Sequence, residues 1–445
     1  MNKNDIVNLK IDGIDYLGEG IAHNNGQTII CKNAILYEEV EALILKSNKN
    51  ITFAKSSKII KPSKYRIEPA CPYFKLCGGC SMLHIDYKYQ IEMKKKMVET
   101  TLNKMIKGIK IDSIISSDNP FNYRNKIQVP IGFKDENFIK GFYRENSHDI
   151  IPSENCLIEP VISKEVFDKL LPLLKKHNVL PYDENTNSGE IRHILLRTNN
   201  KNDVMIVFVS RENISGKINN ILNEIDFEFK SVYLNINDKQ TNVVVGKEFI
   251  HIKNELFIEE EINGIKFDIH PNSFFQVNHS QMVKLYNKGI EILNLNKDDV
   301  VIDAYSGIGS ISLNLAKQCK QVYGIEVVKE SVDNANNNKK VNNINNVEFI
   351  LGKCEDEIAN LVKNKTINAI VVDPPRKGCD QSFLETIIDS KIEKILYISC
   401  NPSSLGRDLK ILSEFYSIEE VHLVDMFSHS HHVESVVKLL AKKSA

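Results

Sequence analysis

Five apolar, β-rich runs in the C-terminal half are separated by helix-length stretches, and this alternation constrains the fold more than any other feature of the chain. The runs are VVIDAY, QVYGIEV, VEFILG, INAIVVD and KILYIS, all within residues 300–399. Strands that alternate with helices build βα units, in which the strands run parallel. The pattern therefore predicts an α/β fold with a mostly parallel, Rossmann-like sheet, in a domain that we place at residues 266–445.

The upstream sequence predicts two further domains. Residues 1–62 contain five short segments of alternating apolar and polar residues with Gly and Asn between them. Such segments are typical of a small β-barrel that binds oligonucleotides, and equally of a β-domain with a packing role. Residues 63–265 mix strands and helices and predict a central α/β domain. A helix at about 90–110 is a candidate to pack on the C-terminal domain, with Lys94, Lys95 and Lys96 off its apolar stripe.

Charge and hydropathy exclude several classes of protein. Lys and Arg number 57 and Asp and Glu 58, so the whole chain is not a polybasic nucleic-acid binder. No run approaches the ~18 apolar residues of a membrane span, and the N-terminus lacks the apolar segment of a secretion signal. We therefore expect a cytoplasmic protein that does not contact a membrane, and we expect a monomer.

A cofactor site is predicted where the first strand of the alternating region ends. Asp303 lies at the end of that strand, Gly307 and Gly309 form the turn into a helix, and Glu326 ends the next strand. Glycines let a ligand approach the backbone, and an acid at the second position binds ribose hydroxyls. The turn has fewer glycines than a dinucleotide motif, which favours a ligand without pyrophosphate such as S-adenosylmethionine. A strand and turn with no cofactor is the alternative.

Three later segments contain candidate catalytic residues. Asp373 follows an apolar strand in DPPRKG, where Arg376 occupies the position that amino-group methylases fill with an aromatic residue. Cys400 follows the next apolar strand and is either a nucleophile or a buried apolar cysteine. Glu434 follows His429, His431 and His432 ahead of a last helix or strand, and the loose spacing of these histidines disfavours a metal site.

A cluster of cysteines in the N-terminal half predicts a metal site. Cys71, Cys77 and Cys80 have the spacing C-x5-C-x2-C, and Cys156 is available as a distant fourth ligand. Thiols of a cytosolic protein stay reduced, so clustered cysteines indicate a metal more than a disulfide. Four thiolates hold either an iron–sulfur cluster or zinc, and the spacing leaves both open.

Together these motifs resemble the uracil-5 RNA methyltransferase family, and most closely its bacterial 23S rRNA members. The resemblance covers essentially the whole chain. Its further motifs are FFQVN at 274–278, DAYSGIGS at 303–310, SCNPSSLGRD at 399–408 and HHVESV at 431–436. It implies a class I methyltransferase domain that uses S-adenosylmethionine, and an N-terminal RNA-binding barrel similar to a TRAM domain.

The resemblance also implies roles for individual residues. It places a [4Fe-4S] cluster, rather than zinc, on Cys71, Cys77, Cys80 and Cys156. It assigns S-adenosylmethionine binding to Gln276, Tyr305, Glu326 and Asp373, the nucleophile to Cys400 and the general base to Glu434. The expected function is methylation of C5 of a specific uridine in 23S rRNA, a step of rRNA processing. The alternatives are the same reaction on tRNA and a non-catalytic RNA-binding iron–sulfur protein.

Overall fold

The structure is a computed structural model that describes residues 1–24, 26–145 and 147–442. Within these residues the chain forms 23 strands and nine helices, numbered in chain order. The strands are β1 (Ile6–Lys10), β2 (Gly13–Ile14), β3 (Gly20–Asn24), β4 (Gln27–Lys32), β5 (Glu39–Ser47), β6 (Ile51–Lys61), β7 (Ser113–Ile115), β8 (Lys126–Lys134), β9 (Asn137–Tyr143), β10 (Ile150–Pro152), β11 (Ile191–Thr198), β12 (Val204–Ser210), β13 (Ser231–Ile236), β14 (Glu248–Asn254), β15 (Ile258–Ile262), β16 (Ile265–Ile269), β17 (Val300–Ala304), β18 (Gln321–Glu326), β19 (Val347–Leu351), β20 (Ala369–Val372), β21 (Lys394–Ser399), β22 (Tyr416–Val424) and β23 (Glu434–Ala441). The helices are α1 (Tyr87–Asn103), α2 (Ile162–Lys176), α3 (Ser215–Glu224), α4 (His279–Leu293), α5 (Ser310–Leu315), α6 (Lys329–Val341), α7 (Cys354–Asn364), α8 (Gln381–Ser390) and α9 (Pro402–Leu412).

The chain divides into two compact units that both draw on distant parts of the sequence. The first unit contains Met1–Phe74, Cys80–Ser117 and the residues from Asp373 onward. The second unit contains Lys75–Gly79 and Asp118–Val372.

The N-terminal part of the first unit is a small β-barrel built from a six-stranded sheet in the order β1-β5-β6-β4-β3-β2. Neighbouring strands in this sheet are antiparallel, except that β4 and β6 are parallel. The pairing of β5 with β6 is interrupted by several bulges. The core consists of inward-facing aliphatic side chains, among them Leu9, Ile29 and Ile44. The chain forms six strands here where the sequence predicts five segments, because it turns at Ile11 and Asp12 between β1 and β2.

The rest of the first unit joins the helix α1 to the last strands of the chain. Strand β23 lies between β21 and β22 and is antiparallel to both, and β7 runs parallel to β22. Helix α1 packs against α9, where Gly406 gives Leu102 and Met105 room to approach. Asp86 caps α1 by accepting a hydrogen bond from the N–H of Tyr89.

The second unit begins with a seven-stranded sheet in the order β10-β9-β8-β11-β12-β13-β14. Its pairs are antiparallel apart from β12 and β13. Strands β11 and β12 are buried along their whole length, and α2 and α3 supply the rest of the core. The strands and helices predicted for the central region are confirmed here.

The second unit also contains four of the five strands predicted from the C-terminal alternation, whereas the fifth, KILYIS, is β21 of the first unit. These four strands lie in the order β19-β18-β17-β20 and are parallel throughout. Helices α5, α6 and α7 connect them, and α6 contains the asparagine-rich segment DNANNNKKV. Because parallel strands end at the same edge, residues that follow β17 and β18 come together.

Candidate active site

Cys400 and Glu434 lie opposite each other at the ends of two paired strands. Ser399, the last residue of β21, pairs with Ser435 of the antiparallel strand β23. Cys400 follows Ser399 and Glu434 precedes Ser435, so the next opposed positions are Cys400 and Glu434. The Glu434 carboxylate raises the pKa of the Cys400 thiol, which shows that the two side chains are close. The structure therefore brings together two residues that are 34 positions apart in sequence.

Asp373 belongs to the same group, because its carboxylate raises the pKa of both Cys400 and Glu434. Burial and the nearby Glu434 and Asp373 carboxylates raise the pKa of the half-buried Cys400 thiol to about 11. Burial and Asp373 raise the pKa of Glu434, which is 4% exposed, to about 8. Burial raises the pKa of Asp373 to about 7. The site thus contains one thiol and two carboxyl groups. Both carboxyl groups titrate near neutral pH, as residues with acid–base roles do.

The loop after Asp373 is attached to the loop after Cys400. The carbonyl oxygen of Arg376 accepts hydrogen bonds from Asn401 Nδ2 at 3.0 Å and from Ser404 Oγ at 3.2 Å. The Asn401 side chain also caps α9 through the N–H of Ser403 at 3.1 Å. The Arg376 guanidinium lowers the pKa of the Cys400 thiol and so opposes the two carboxylates. Sequence reasoning used Arg376 only to exclude another chemistry and missed this electrostatic role.

The loop before Glu434 is anchored on α1 by a buried ion pair. Lys94 contacts Asp425, and both side chains are fully buried. Lys94 Nζ also donates to the carbonyl of Phe427 at 3.0 Å, and Tyr87 OH donates to Asp425 Oδ2 at 2.6 Å. The sequence predicts Lys94 to lie off the apolar stripe of the helix. Its side chain is nevertheless buried, because it pairs with Asp425. Asp425 stands at the end of the largely apolar segment VHLV, just as Asp303 and Asp373 stand at the ends of apolar strands. This shared position could have identified Asp425 from the sequence.

A second set of hydrogen bonds holds the same loop at His429. Its backbone has φ of +63°, in the left-handed region, and its carbonyl accepts the N–H groups of Ser81 at 3.0 Å and Met82 at 2.9 Å. Its Nδ1 lies 3.1 Å from Gln90 Nε2. The Ser81 hydroxyl lies 3.3 Å from Nδ1 of His431. Through these contacts His429 and His431 order the loop that precedes Glu434.

A cavity of about 310 Å³ opens over the Cys400 thiol. Pockets of 300 Å³ and above are of the size that takes small molecules and single nucleotide units. Its walls come from the first unit alone: the turn between β2 and β3, the side of α1, the loops after β20 and β21, and the loop before β23. The lining residues are Tyr16, Leu17, Lys94, Met97, Val98, Thr101, Arg376, Cys400, Asn401, Pro402, Ser403, His431, His432 and Val433.

In the second unit, Tyr305 and Glu326 come together at the ends of the adjacent parallel strands β17 and β18. Glu326 Oε2 accepts the N–H of Gly307 at 3.0 Å, and its Oε1 accepts those of Val327 and Val328, each at 2.8 Å. Tyr305 has φ of +64°. A Cβ at Gly309, where φ is +83°, would lie 2.5 Å from the Phe349 ring, so only glycine fits that turn. A fixed carboxylate beside a glycine turn is suited to a ribose.

Gln276 lies in the same unit, in the segment between β16 and α4. Gln276 is mostly buried, and its backbone carbonyl oxygen accepts a hydrogen bond from Asn125 Nδ2 at 3.0 Å. Asn278, two residues on, caps α4 by accepting the N–H of Gln281 at 3.2 Å. This part of the FFQVN motif is thereby ordered by contacts with the central sheet.

The four cysteines of the predicted metal site are all half-buried. Cys71 and Cys80 fall in the first unit and Cys77 and Cys156 in the second. Cys77 Sγ accepts the N–H of Gly79 at 3.3 Å, which is how backbone groups approach a sulfur ligand. Among the residues that the structure describes, no group of three or more His, Cys, Asp or Glu side chains is arranged to hold a metal ion. The arrangement therefore does not reveal a metal site by itself.

Comparison with known sequences identifies relatives along the whole chain. The sequence model of the family described as tRNA (uracil-5-)-methyltransferase matches residues 86–443. An uncharacterized RNA methyltransferase of Oceanobacillus iheyensis is 40% identical over 454 aligned residues, covering 100% of this chain and 98% of the relative. One of Clostridium tetani is 40% identical over 444 residues, covering 98% and 96%. Both similarities therefore extend over essentially the whole chain.

A solved structure shares the fold. The tRNA (uracil-54, C5)-methyltransferase of Pyrococcus abyssi, in complex with S-adenosyl-L-homocysteine, superimposes with a TM-score of 0.80 at 28% identity. The similarity covers 97% of this chain and 99% of that one. The predicted α/β class with a Rossmann-like methyltransferase domain is thus confirmed. No helix in the described part of the chain is long and apolar enough to cross a membrane.

Proposed function

Because this chain belongs to the tRNA (uracil-5-)-methyltransferase family, and is thus an S-adenosylmethionine-dependent RNA methyltransferase, we propose that it methylates C5 of a specific uridine in 23S rRNA through a covalent bond to Cys400. The observation that carries the proposal is that Cys400 lines a cavity while the buried Glu434, which directly follows the lining residue Val433, acts electrostatically on the Cys400 thiol. C5 of uracil is a weak nucleophile. Addition of a thiolate to C6 makes C5 more nucleophilic, and a neighbouring general base can then remove the C5 proton.

The first step assigned to the protein is addition of Cys400 to the ring. The Sγ–C6 bond forms while the C5–C6 π electrons shift toward C5 and O4, and the thiol proton leaves to solvent. S-adenosylmethionine, when bound, would supply the electrophilic methyl group that C5 takes up, with S-adenosylhomocysteine as the leaving group. Arg376 supports the addition because its positive charge favours the thiolate, against the carboxylates that disfavour it.

The second step assigned to the protein is removal of the C5 proton by Glu434. The electron pair of the C5–H bond restores the C5–C6 double bond, and Cys400 leaves C6 as a thiolate. A carboxylate whose pKa is about 8 is a stronger base than an exposed one and remains partly ionised at neutral pH. General-base assistance of this kind contributes typically ~10²–10⁴-fold to the rate.

We assign S-adenosylmethionine binding to Gln276, Tyr305, Glu326 and Asp373. Three backbone N–H groups hold the Glu326 carboxylate, which supports a role as acceptor for ribose hydroxyls. Asp373, with a pKa raised to about 7, lies with the catalytic pair. Titration of S-adenosylhomocysteine onto Glu326→Gln should give at least ~10-fold weaker binding, since charge-assisted hydrogen bonds contribute about 1.5–3 kcal/mol each. Unchanged affinity would remove Glu326 from the site.

The two candidate substrates are 23S rRNA and tRNA. The cysteine motif and the barrel, which we interpret as a TRAM-like RNA-binding domain, favour 23S rRNA. The Pyrococcus abyssi enzyme and the family description instead favour tRNA as the second candidate. Mapping 5-methyluridine in 23S rRNA and tRNA from cells with and without the gene separates the two. The gene encoding Cys400→Ala serves as the control, because it should restore no methylated position.

We also propose that Cys71, Cys77, Cys80 and Cys156 hold a [4Fe-4S] cluster. The donor set fits: four half-buried thiols are present, and one of them already accepts a backbone N–H. Such a cluster would tie together segments that lie 76 positions apart between Cys80 and Cys156, and methyl transfer needs no electron from it. Anaerobically purified protein should contain iron and absorb visible light, whereas zinc gives no visible absorption. Cys77→Ser should lose the iron, and Cys319→Ser, outside the motif, should retain it.

The domain organisation stays a proposal as well. We place the TRAM-like barrel at residues 1–62, the central domain at 63–265 and the methyltransferase domain at 266–445, in a monomer. Light scattering on the purified protein tests the monomer. Limited proteolysis tests the boundaries, since cleavage should concentrate near residues 62 and 265.

A further inference from the structure

The turn between β2 and β3 presents an exposed aromatic ring at the cavity over Cys400. Tyr16 and Leu17 form the tip of this turn and line the cavity. Tyr16 is 61% exposed and Leu17 is 37% exposed. The catalytic mechanism gives neither residue a role, and their position in the barrel, more than 350 residues before Cys400, gave no sequence signal for one.

Hydrogen bonds hold this turn in one conformation. The Asp15 carboxylate accepts the N–H groups of Leu17 and Glu19, each at 2.8 Å, and the N–H of Asp15 donates to the carbonyl of Glu19 at 2.9 Å. Gly18 has φ of +84°, and a Cβ there would lie 3.8 Å from Cβ of His431. The turn is therefore packed beside the loop that forms another wall of the same cavity.

An exposed tyrosine on an ordered turn beside a nucleophile fits a particular kind of ligand. Proteins that hold single-stranded RNA stack unpaired bases on aromatic rings. The neighbouring walls are partly apolar, through Leu17, Met97 and Val98, and Arg376 brings a positive charge that suits a phosphate. This combination suits a short stretch of RNA, with the target uracil at Cys400 and a neighbouring base at Tyr16.

We propose that Tyr16 stacks on a base adjacent to the target uridine and so contributes directly to substrate selection. The inference rests on the proposed function, because it takes the cavity over Cys400 as the place where the target uracil is held. Extruding a base costs a few kcal/mol, and stacking of its neighbour on Tyr16 offsets part of that cost. The barrel would then contribute a residue to the active site, in addition to binding RNA in general.

The absence of tryptophan from the 445-residue sequence allows a direct test of the contact. Tyr16→Trp introduces a single indole at the cavity, and Tyr37→Trp introduces one on the same barrel at an equally exposed position, 62%, that does not line the cavity. The probe is 23S rRNA purified from cells lacking the gene. We expect saturable quenching of the indole at position 16 and little change at position 37. Equal quenching at both positions, or none at position 16, would overturn the proposal.

Kinetics provide the second readout. Stacking energies measured by alanine substitution predict a loss of roughly 5- to 100-fold in kcat/KM for Tyr16→Ala. Tyr16→Phe should retain activity within about twofold because the ring is kept, and Tyr37→Ala should do the same. Wild-type kcat/KM in Tyr16→Ala would overturn the role in selection. If the wild-type protein methylates no rRNA, the proposed function fails, whereas the quenching experiment still reports on the stacking.

Discussion

The ionisation of Cys400 is the most quantitative consequence of the site. With a pKa of about 11, against 9.0 for an ordinary thiol, the thiolate at pH 8 is about one part in 1,000 instead of about one in 10. The higher pKa also makes the thiolate intrinsically more nucleophilic, by roughly 10-fold over two pKa units at a Brønsted slope of about 0.4–0.5. The free enzyme should therefore alkylate at Cys400 about 10-fold more slowly at pH 8 than an exposed cysteine.

The assay follows iodoacetamide labelling of the tryptic peptide 395–407, which contains Cys400 as its single cysteine. The rate should rise with pH up to about pH 11 without levelling off earlier. Glu434→Gln removes a negative charge that raises the thiol pKa, so labelling above pH 8, where Glu434 is ionised, should become faster. Arg376→Met removes the opposing positive charge and should slow it. A plateau below pH 9 in the wild-type protein, or slower labelling of Glu434→Gln, would refute the electrostatic reasoning.

Three further predictions follow from specific contacts. Cys400→Ala should abolish methyl transfer while RNA binding, measured by filter retention, persists; methylation at the wild-type rate would disprove the nucleophile assignment. Lys94→Met leaves the carboxylate of Asp425 buried and unpaired, so chemical denaturation should show a loss of about 3–5 kcal/mol, whereas Lys96→Met on the exposed face should lose little. Gly309→Ala places a Cβ 2.5 Å from the Phe349 ring at a φ of +83°, so calorimetry should detect weaker S-adenosylhomocysteine binding, and wild-type affinity would contradict the proposed fit.

The strand and helix pattern of the parallel region could be predicted from the sequence because its strands are mostly apolar runs separated by helix-length stretches. The central strands β17 and β20 are buried on both faces, whereas the edge strand β19 is only partly buried. The last strand was ambiguous between helix and strand, because ESVVKLL satisfies both apolar patterns over so short a length. Pairing with β21 and β22 decides in favour of the strand.

Residues whose role depends on a distant partner were harder to predict. Lys94 looked like one of three exposed lysines on α1, and only its contact with Asp425 explains its burial. Tyr16 lies at the cavity because the barrel and the end of the chain belong to one compact unit, which no local pattern indicates. Cys400 and Glu434 were found through their motifs, whereas their opposition across β21 and β23 is a matter of strand register.

The covalent bond between Cys400 and the target uracil is the central claim, and Glu434→Gln tests it most directly. Without the carboxylate the C5 proton stays in place after methylation, so the Sγ–C6 bond should persist. Incubation with S-adenosylmethionine and unmethylated 23S rRNA should leave RNA attached to peptide 395–407 after denaturation and digestion. Denatured Glu434→Gln protein that retains no RNA, or RNA attached at a residue other than Cys400, would contradict the account.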